Sequence, residues 1–398
     1  MIRNIYNTVD DVYINALKSS TIYPMIRIEL LDHYENVLGE ITDYISNDDS
    51  NNISLNYKQG VQRSCTITLN NTERLFTPNE NRLIWFLTKF KIYIGLKVSE
   101  DTIYWFSKGV YILTDPQSIR DMSKGTVILN GVDKFGMFTS DTNYYELDGT
   151  YVAPAGTTLR NIIIETLRDD LGNGMMIDPR PPIIDREIGM MTLPYDISKP
   201  PNSHMGEILV ELGNVFACDI FYDADGVLNF TKGNEENDMA SFASIWNFSD
   251  LSPEYFTPSL NDDFRNTFNI VKVVGNNPNA TDIFEYTLKN EQPNSPTRVQ
   301  LIGAKTRFIE IQFGYNMDRV RDFARYWLRR HCIVHQNFNF QSSFIPHLDI
   351  NNVVNIDDRH FEYSNQRFII QSIDMPLNAR SLFDINSSNL ANIPYFPF

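Results

Sequence analysis

Short alternating runs cut by turn formers are the strongest constraint on how this chain can fold. Between residues 57 and 138 the first run is Arg63-Ser64-Cys65-Thr66-Ile67-Thr68-Leu69-Asn70-Asn71, where Cys65, Ile67 and Leu69 alternate with polar residues. A period of two sends every second side chain to one face, as a half-buried strand requires. The link Phe76-Thr77-Pro78-Asn79-Glu80-Asn81 is rich in breakers, and residues 89–97 then alternate again. Residues 102–106, 109–114 and 125–132 add three more β-like runs. No helical period longer than a turn or two fits between them, so the stretch predicts a small antiparallel barrel or sandwich.

Upstream, residues 7–19 read as a short helix, with Thr8 as its cap and Asp10 and Asp11 in the first turn, where the helix dipole favours carboxylates. A hairpin follows, with Met25, Ile26, Ile28 and Leu30 on one arm, a turn at His33-Tyr34-Glu35-Asn36, and a return over residues 37–41. The texture changes after Asp141. Leu159, Ile162, Ile163, Leu167 and Leu171 share one helical face, and Gly172-Asn173-Gly174 is a fitting stop. A Pro-rich loop at Asp178-Pro179-Arg180-Pro181-Pro182 leads to a second helix with Met205, Ile208, Leu209 and Leu212 inward. Residues 217–230 then predict two strands around the Asp225-Gly226 turn.

From about residue 262 the pattern is β again, with strands expected at 269–275, 284–288 and 307–312. One helix interrupts them, capped by Asn316, with Val320, Phe323, Ala324, Trp327, Leu328 and His331 on one face. Two closing runs follow, Ile345-Pro346-His347-Leu348-Asp349-Ile350-Asn351-Asn352-Val353-Val354 and Gln366-Arg367-Phe368-Ile369-Ile370-Gln371-Ser372-Ile373-Asp374. Val127-Ile128-Leu129-Asn130-Gly131-Val132-Asp133 matches Phe368 to Asp374 in residue class at every position, as two copies of one domain would.

The order Thr68-Leu69-Asn70-Asn71, Pro78-Asn79, the aromatic Tyr104-Trp105-Phe106, Gly109-Val110-Tyr111-Ile112 and Gly131-Val132-Asp133-Lys134 resembles the N-terminal barrel of bacteriophage baseplate hub proteins, which close the end of a tail tube. The helix-plus-hairpin stretch resembles the module between that family's two barrels, and the two closing runs resemble the segment that completes the second. The resemblance implies an α+β, mainly β fold. It divides the chain into an N-terminal helical arm at 1–19, a tube-like barrel at 20–140, an α+β middle domain at 141–261 and a second barrel at 262–398. It also implies a homotrimer whose two barrels per chain give a ring of near six-fold symmetry. The partners it implies are a tail tube or distal tail protein, a tape measure protein and a central spike or tip. DNA would pass through the lumen without specific binding. Many relatives carry C-terminal enzymatic or spike domains, and here the chain ends soon after the second barrel, so such activities are expected of other proteins.

At 398 residues, with 42% hydrophobic and 13% aromatic content, the chain can bury two or three cores. Thirty-four basic against 50 acidic residues leave a net charge of −16, the wrong sign for holding nucleic acid by its phosphates. The same acidity suits a surface that DNA slides past. Cys65, Cys218 and Cys332 are far apart and odd in number, which predicts buried thiols rather than a disulfide framework or zinc ribbon. Asp10-Asp11 arrives before any apolar block, so no signal peptide is expected, and no run reaches the ~18 apolar residues of a membrane span.

Motifs that carry chemistry are few. His331 and His335 stand four apart, but Cys332 occupies the place where a zinc protease needs Glu, and His331 falls on the apolar stripe. Asp223-Ala224-Asp225-Gly226 opens like a calcium loop, yet its Gly comes too early and strand residues follow at once. Both read as structural, so no catalytic, cofactor or metal residue is assigned. Arg319, Arg321, Arg325, Arg329 and Arg330 give a helix a basic face, either paired with acids or set against an acidic partner. Asp357-Asp358 and Glu235-Glu236 are neighbours in sequence, which does not supply the cleft-spanning separation of a glycosidase pair. The aromatics Tyr104, Trp105, Phe106, Tyr144 and Tyr145 pack or dock, and the apolar tail 393–398 is a candidate for filling a partner's groove. A structural hub is the reading the sequence favours. A tail-associated cell-wall hydrolase and a glycan-binding tip are the alternatives.

Overall fold

Strand Asn52–Asn56 pairs along both of its edges, with Arg63–Asn70 on one side and with Tyr363–Pro376 on the other. Its sequence, Asn-Ile-Ser-Leu-Asn, alternates cleanly, and Ile53 and Leu55 point into the core. Through it the two β-rich ends of the chain become one sheet of 14 strands. The computed structural model describes residues 9–46, 50–58, 60–80, 83–120, 125–142, 146–168, 174–216, 218–232, 242–276, 283–311, 316–378 and 381–389.

From one end the sheet runs Tyr255–Asp263, His335–Ser342, Phe383–Asn389, Tyr363–Pro376, Asn52–Asn56, Arg63–Asn70 and Gly125–Asp133. It continues through Ile103–Leu113, Lys89–Lys97, Pro24–Leu31 and Val37–Glu40. Gln117–Arg120 branches from Gly125–Asp133, and Val353–Asp358 branches from Tyr363–Pro376 to meet Trp246–Ser249. The fold is α+β and mainly β, as the sequence predicts. The pairing among the described residues is an open, branched path and not two closed barrels, because Asn52–Asn56 spends both edges joining the halves.

The inward face of this sheet forms one core. Cys65, Ile67, Leu69, Val127 and Leu129 from the first half pack with Phe338, Phe340, Ile370, Ile373, Met375 and Ile385 from the last. Each fully buried aliphatic side chain of this kind stabilises the fold by about 1.5–3 kcal/mol. The runs at 102–106 and 109–114 are one strand, Ile103–Leu113. It is bent at Gly109 (φ 142°), where a Cβ would fall 2.8 Å from the Tyr111 ring. The echo strands lie three places apart in the sheet, with Asp133 buried and Asp374 exposed.

A second core gathers helices Leu159–Arg168 and Met205–Phe216 against the hairpin Cys218–Tyr222 and Leu228–Lys232 and the 3-10 turn Lys134–Phe138. Residues 171–173, expected to end the first helix, lie outside the described residues. A third core is Val271, Val273 and Ile311 under Val320, Ala324 and Leu328 of helix Met317–His331, which Asn316 caps as expected by accepting the Arg319 N–H. That helix covers a small sheet in which Ile270–Asn276 pairs antiparallel with Ile283–Lys289 and parallel with Thr306–Ile311. The unit is threaded between Tyr255–Asp263 and His335–Ser342, which are paired neighbours in the large sheet. At the N-terminus, helix Asp11–Leu17 is capped by Asp10, whose carboxylate accepts the Tyr13 N–H at 2.9 Å, and not by Thr8, which lies outside the described residues.

Ile53→Ala is expected to cost about 2–5 kcal/mol. Because Ile53 lies in the core shared by both halves, urea unfolding followed by far- and near-UV circular dichroism should shift as one coincident transition.

Candidate functional site: two buried ionic joints

Where the three parts of the chain meet, the contacts are ionic and closed to water. The strand Gly125–Asp133 is followed directly by Lys134, whose side chain is fully buried. Its Nζ lies 2.8 Å from Asp178 Oδ1 and 2.5 Å from Glu35 Oε1, and donates to the Gly226 carbonyl at 2.9 Å. Tyr222 donates its hydroxyl to Asp178 Oδ2 at 2.8 Å, and Arg180 meets Glu35 Oε2 at 3.0 Å. Lys89 donates to the His33 carbonyl at 2.7 Å and stands 3.7 Å from Glu35. Glu35 is placed by the tight turn of the first hairpin, where it adopts a left-handed backbone (φ 66°). Asp178 and Arg180 come from the Pro-rich loop, which prolines hold extended. Burial pushes the Asp178 carboxyl up, and the Lys134 charge and hydrogen bond reverse this, holding it below the usual carboxylate range. Burial, with the Lys134 charge, brings the Lys89 ammonium down to about 8.

A second joint fastens the segment 345–352 to the first half. Arg63 pairs with Asp349 at 3.1 Å and also donates to the Lys108 carbonyl, while Lys108 Nζ donates to the Leu348 carbonyl at 2.6 Å. Asp133 accepts the backbone N–H groups of Gln62, Arg63 and Phe135 at 2.7–3.0 Å. Burial raises Asp133 to about 6 in spite of those donors, and lowers Lys108 to about 8. The N-terminal helix closes over this joint. Tyr13 is buried against Tyr104, Phe106 and His347, and its hydroxyl lies 2.9 Å from His347 Nδ1. Burial, with the Lys108 charge, lowers His347 to about 3, so the ring is neutral where it shares a hydrogen bond with the Tyr13 hydroxyl.

Such joints orient the parts they connect. Each carboxylate in them is already saturated by cations or N–H donors, and three or more charges balance one another at 2.5–3.7 Å. Breaking one member strands the others in low dielectric, which is the expensive event for a buried ion pair.

The residues singled out in the sequence fall elsewhere. His331 stacks on Trp327 with ring centroids 3.8 Å apart and lies 6.1 Å from the His335 ring. Among the described residues no three metal-ligating side chains cluster. Asp223 caps its own turn, accepting the N–H groups of Asp225 and Val227, and Gly226 takes φ 77°. A Cβ on Gly226 would sit 2.7 Å from Val110, so this turn is also docked on the first half. Arg321 and Arg325 pair with Asp318 and Asp322 at 3.5 and 3.4 Å, and Arg319 donates to the Val215 carbonyl, so much of that face is acid-paired or packed. Asp358 accepts the Tyr255 hydroxyl at 2.9 Å. Cys65, Cys218 and Cys332 are buried free thiols. Glu235-Glu236, Tyr144-Tyr145 and the tail 393–398 lie outside the described residues, as does the Arg330 side chain. Sequence reading missed the joints. Their one signal is a lysine within a strand pattern, Lys89 and Lys108, or directly after one, Lys134.

Among solved structures the fold is similar to a tail protein from Neisseria meningitidis (TM-score 0.59, 9% identity, 92% of this chain and 96% of that one). It is also similar to a prophage MuSo2 tail protein from Shewanella oneidensis (TM-score 0.57, 12% identity, 92% and 98%). The chain has the fold of phage tail proteins. A Francisella PdpA–VgrG complex shares that fold too, at TM-score 0.56 and 10% identity over 95% of this chain and 60% of that one. No family model matches the sequence, and no curated protein matches it. In this tail-protein fold the two joints fix how the β sheet carries the α+β parts.

Lys134→Met is expected to cost about 3–5 kcal/mol, because Glu35 and Asp178 are left buried without their cation. Denaturant titration of the variant checks this. His347 binds its proton near pH 3 in the folded chain and near the ordinary histidine value when unfolded. The unfolded state therefore holds more protons across that interval, so stability falls as pH drops from about 6.5 toward 3. His347→Gln should flatten that dependence in urea midpoints measured across the interval.

Proposed function

We propose that the chain is the structural hub of a phage tail or baseplate. Three copies form a ring of near six-fold symmetry that joins a hexameric tail tube to a three-fold spike or tip and leaves a channel for DNA. The observation that carries this reading is the splice strand Asn52–Asn56. It merges β units from both ends of one chain into a single sheet, so each copy presents two β units at a fixed spacing. A three-fold body built from such copies offers six comparable surfaces, which is what a junction between six-fold and three-fold parts needs. The tail-protein fold agrees with this role, and PdpA–VgrG gives a precedent for assembly of this fold with another protein. The chain itself is read as non-enzymatic. Glu35 and Asp178 are held by Lys134, which supports reading them as structural rather than as the acids of a hydrolase. The domain bounds 1–19, 20–140, 141–261 and 262–398 belong to the same proposal, as do the tube or distal tail protein, tape measure and spike partners and a place in the virion after assembly in the host cytoplasm.

Light scattering on the purified protein, with negative-stain images of the same fraction, is expected to give a three-chain particle with a central opening. A single-chain particle that persists when tube and spike proteins are added would overturn the reading.

A further inference from the structure

Among the described ion pairs, only Lys134 sets one amine close against two carboxylates, Asp178 at 2.8 Å and Glu35 at 2.5 Å. The three side chains are closed to water, Lys134 at 0%, Asp178 at 1% and Glu35 at 9% exposure. Other pairs lack one of these conditions. Lys91 meets Asp225 at 2.9 Å but both are reached by solvent, and Lys89 is buried but stands 3.7 Å from Glu35. Arg63 and Asp349 are as dry, yet a guanidinium keeps its proton and is no nucleophile. A lysine amine held dry against a carboxyl group is the starting geometry for an amide.

Asp178 is arranged as the acceptor of such a bond. Its backbone N–H is fixed on the Leu167 carbonyl at 3.0 Å, and Pro179 stiffens the chain that follows. The Tyr222 hydroxyl donates to Oδ2 at 2.8 Å, and the Arg180 backbone N–H donates to Oδ1 at 3.0 Å. Donors on both oxygens polarise the carboxyl carbon and hold the negative charge that gathers on oxygen when a nucleophile adds. Glu35 instead touches the amine itself, which is the place of a base.

We propose that Lys134 and Asp178 condense to an amide, a covalent strut between the large sheet and the Pro-rich loop, with Glu35 as the catalytic base. The Lys134 ammonium first passes one proton to Asp178 Oδ1 along their hydrogen bond, leaving a neutral amine and a neutral acid. The Lys134 charge is what holds Asp178 ionised, so this transfer removes the cause together with the charge. Exclusion of water favours the neutral pair. The amine lone pair then attacks Cγ, and the charge on Oδ2 is held by the Tyr222 hydroxyl. Glu35 takes a proton from the nitrogen and returns it to Oδ1, the Cγ–Oδ1 bond breaks, and one water leaves. Of the three ammonium protons, one stays on the amide and two depart in that water, so no oxidant, reductant or cofactor is needed. Fixed contact stands in for a bimolecular encounter, which is why the bond forms without an external enzyme.

The amide closes a loop between positions 44 apart and makes the ionic joint permanent. It does not depend on the hub reading, since every group in it belongs to one chain.

Intact mass spectrometry tests the bond on the full chain, purified folded at neutral pH and denatured only for the measurement. The expected mass is lower than that of the sequence by one water. Peptide mapping is expected to recover a branched peptide that joins the Lys134 and Asp178 segments. Lys134→Arg and Glu35→Gln are expected to restore the full mass, with circular dichroism matching that of the unaltered chain. An unaltered chain at its full sequence mass overturns the proposal, whatever the variants do. A lost water with linear peptides alone, as from a cyclised aspartate, also overturns it, as does a branch at Glu35 in place of Asp178. A bond that still forms in folded Glu35→Gln overturns the part given to Glu35.

Discussion

Everything in this fold depends on a five-residue strand having partners on both sides. Without Asn52–Asn56 the first β unit would end at Arg63–Asn70 and the last at Tyr363–Pro376, each with an open edge and half a core. With it, Ile53 and Leu55 seal side chains from both ends of the chain into one apolar layer. The hydrophobic term is non-directional, so it does not fix which strand meets which. Register comes from the backbone ladder and the period of two, because a slip by one residue would turn Ile53 and Leu55 outward.

The ionic joints supply a different kind of order. Apolar layers tolerate small slides, whereas Lys134 must find Glu35, Asp178 and the Gly226 carbonyl together or leave a charge dry. The cluster therefore selects one orientation of the α+β part on the sheet. Arg63, Lys108 and Asp349 do the same for the closing segment. What these clusters contribute is fixed angles between parts rather than added stability.

The strands, the three main helices and the Asp-Gly hairpin were legible because each depends on local period and turn chemistry. The Asn316 cap and the stripe Val320, Ala324, Leu328 follow from the same local signals. Two things were not legible. The run Asn52 to Asn56 alternates visibly but is short, and nothing local says that it will pair with residue 372. The buried lysines were passed over because a lysine in a strand reads as a solvated edge unless its partners are known. Here those partners, Asp178 for Lys134 and the Leu348 carbonyl for Lys108, are distant in sequence. Non-local pairing also explains why barrels were expected where one branched sheet is found.

That same splice sets a timetable for synthesis. Ser54 and Asp374 are 320 residues apart, yet their strands are neighbours. As the chain leaves the ribosome, the first β unit must wait with one flank bare until nearly the last strands emerge. Closing so long a loop is slow, and unpaired flanks are where nascent chains stick to one another. The second flank of Asn52–Asn56 is thus covered only after residues 372–376 have been made.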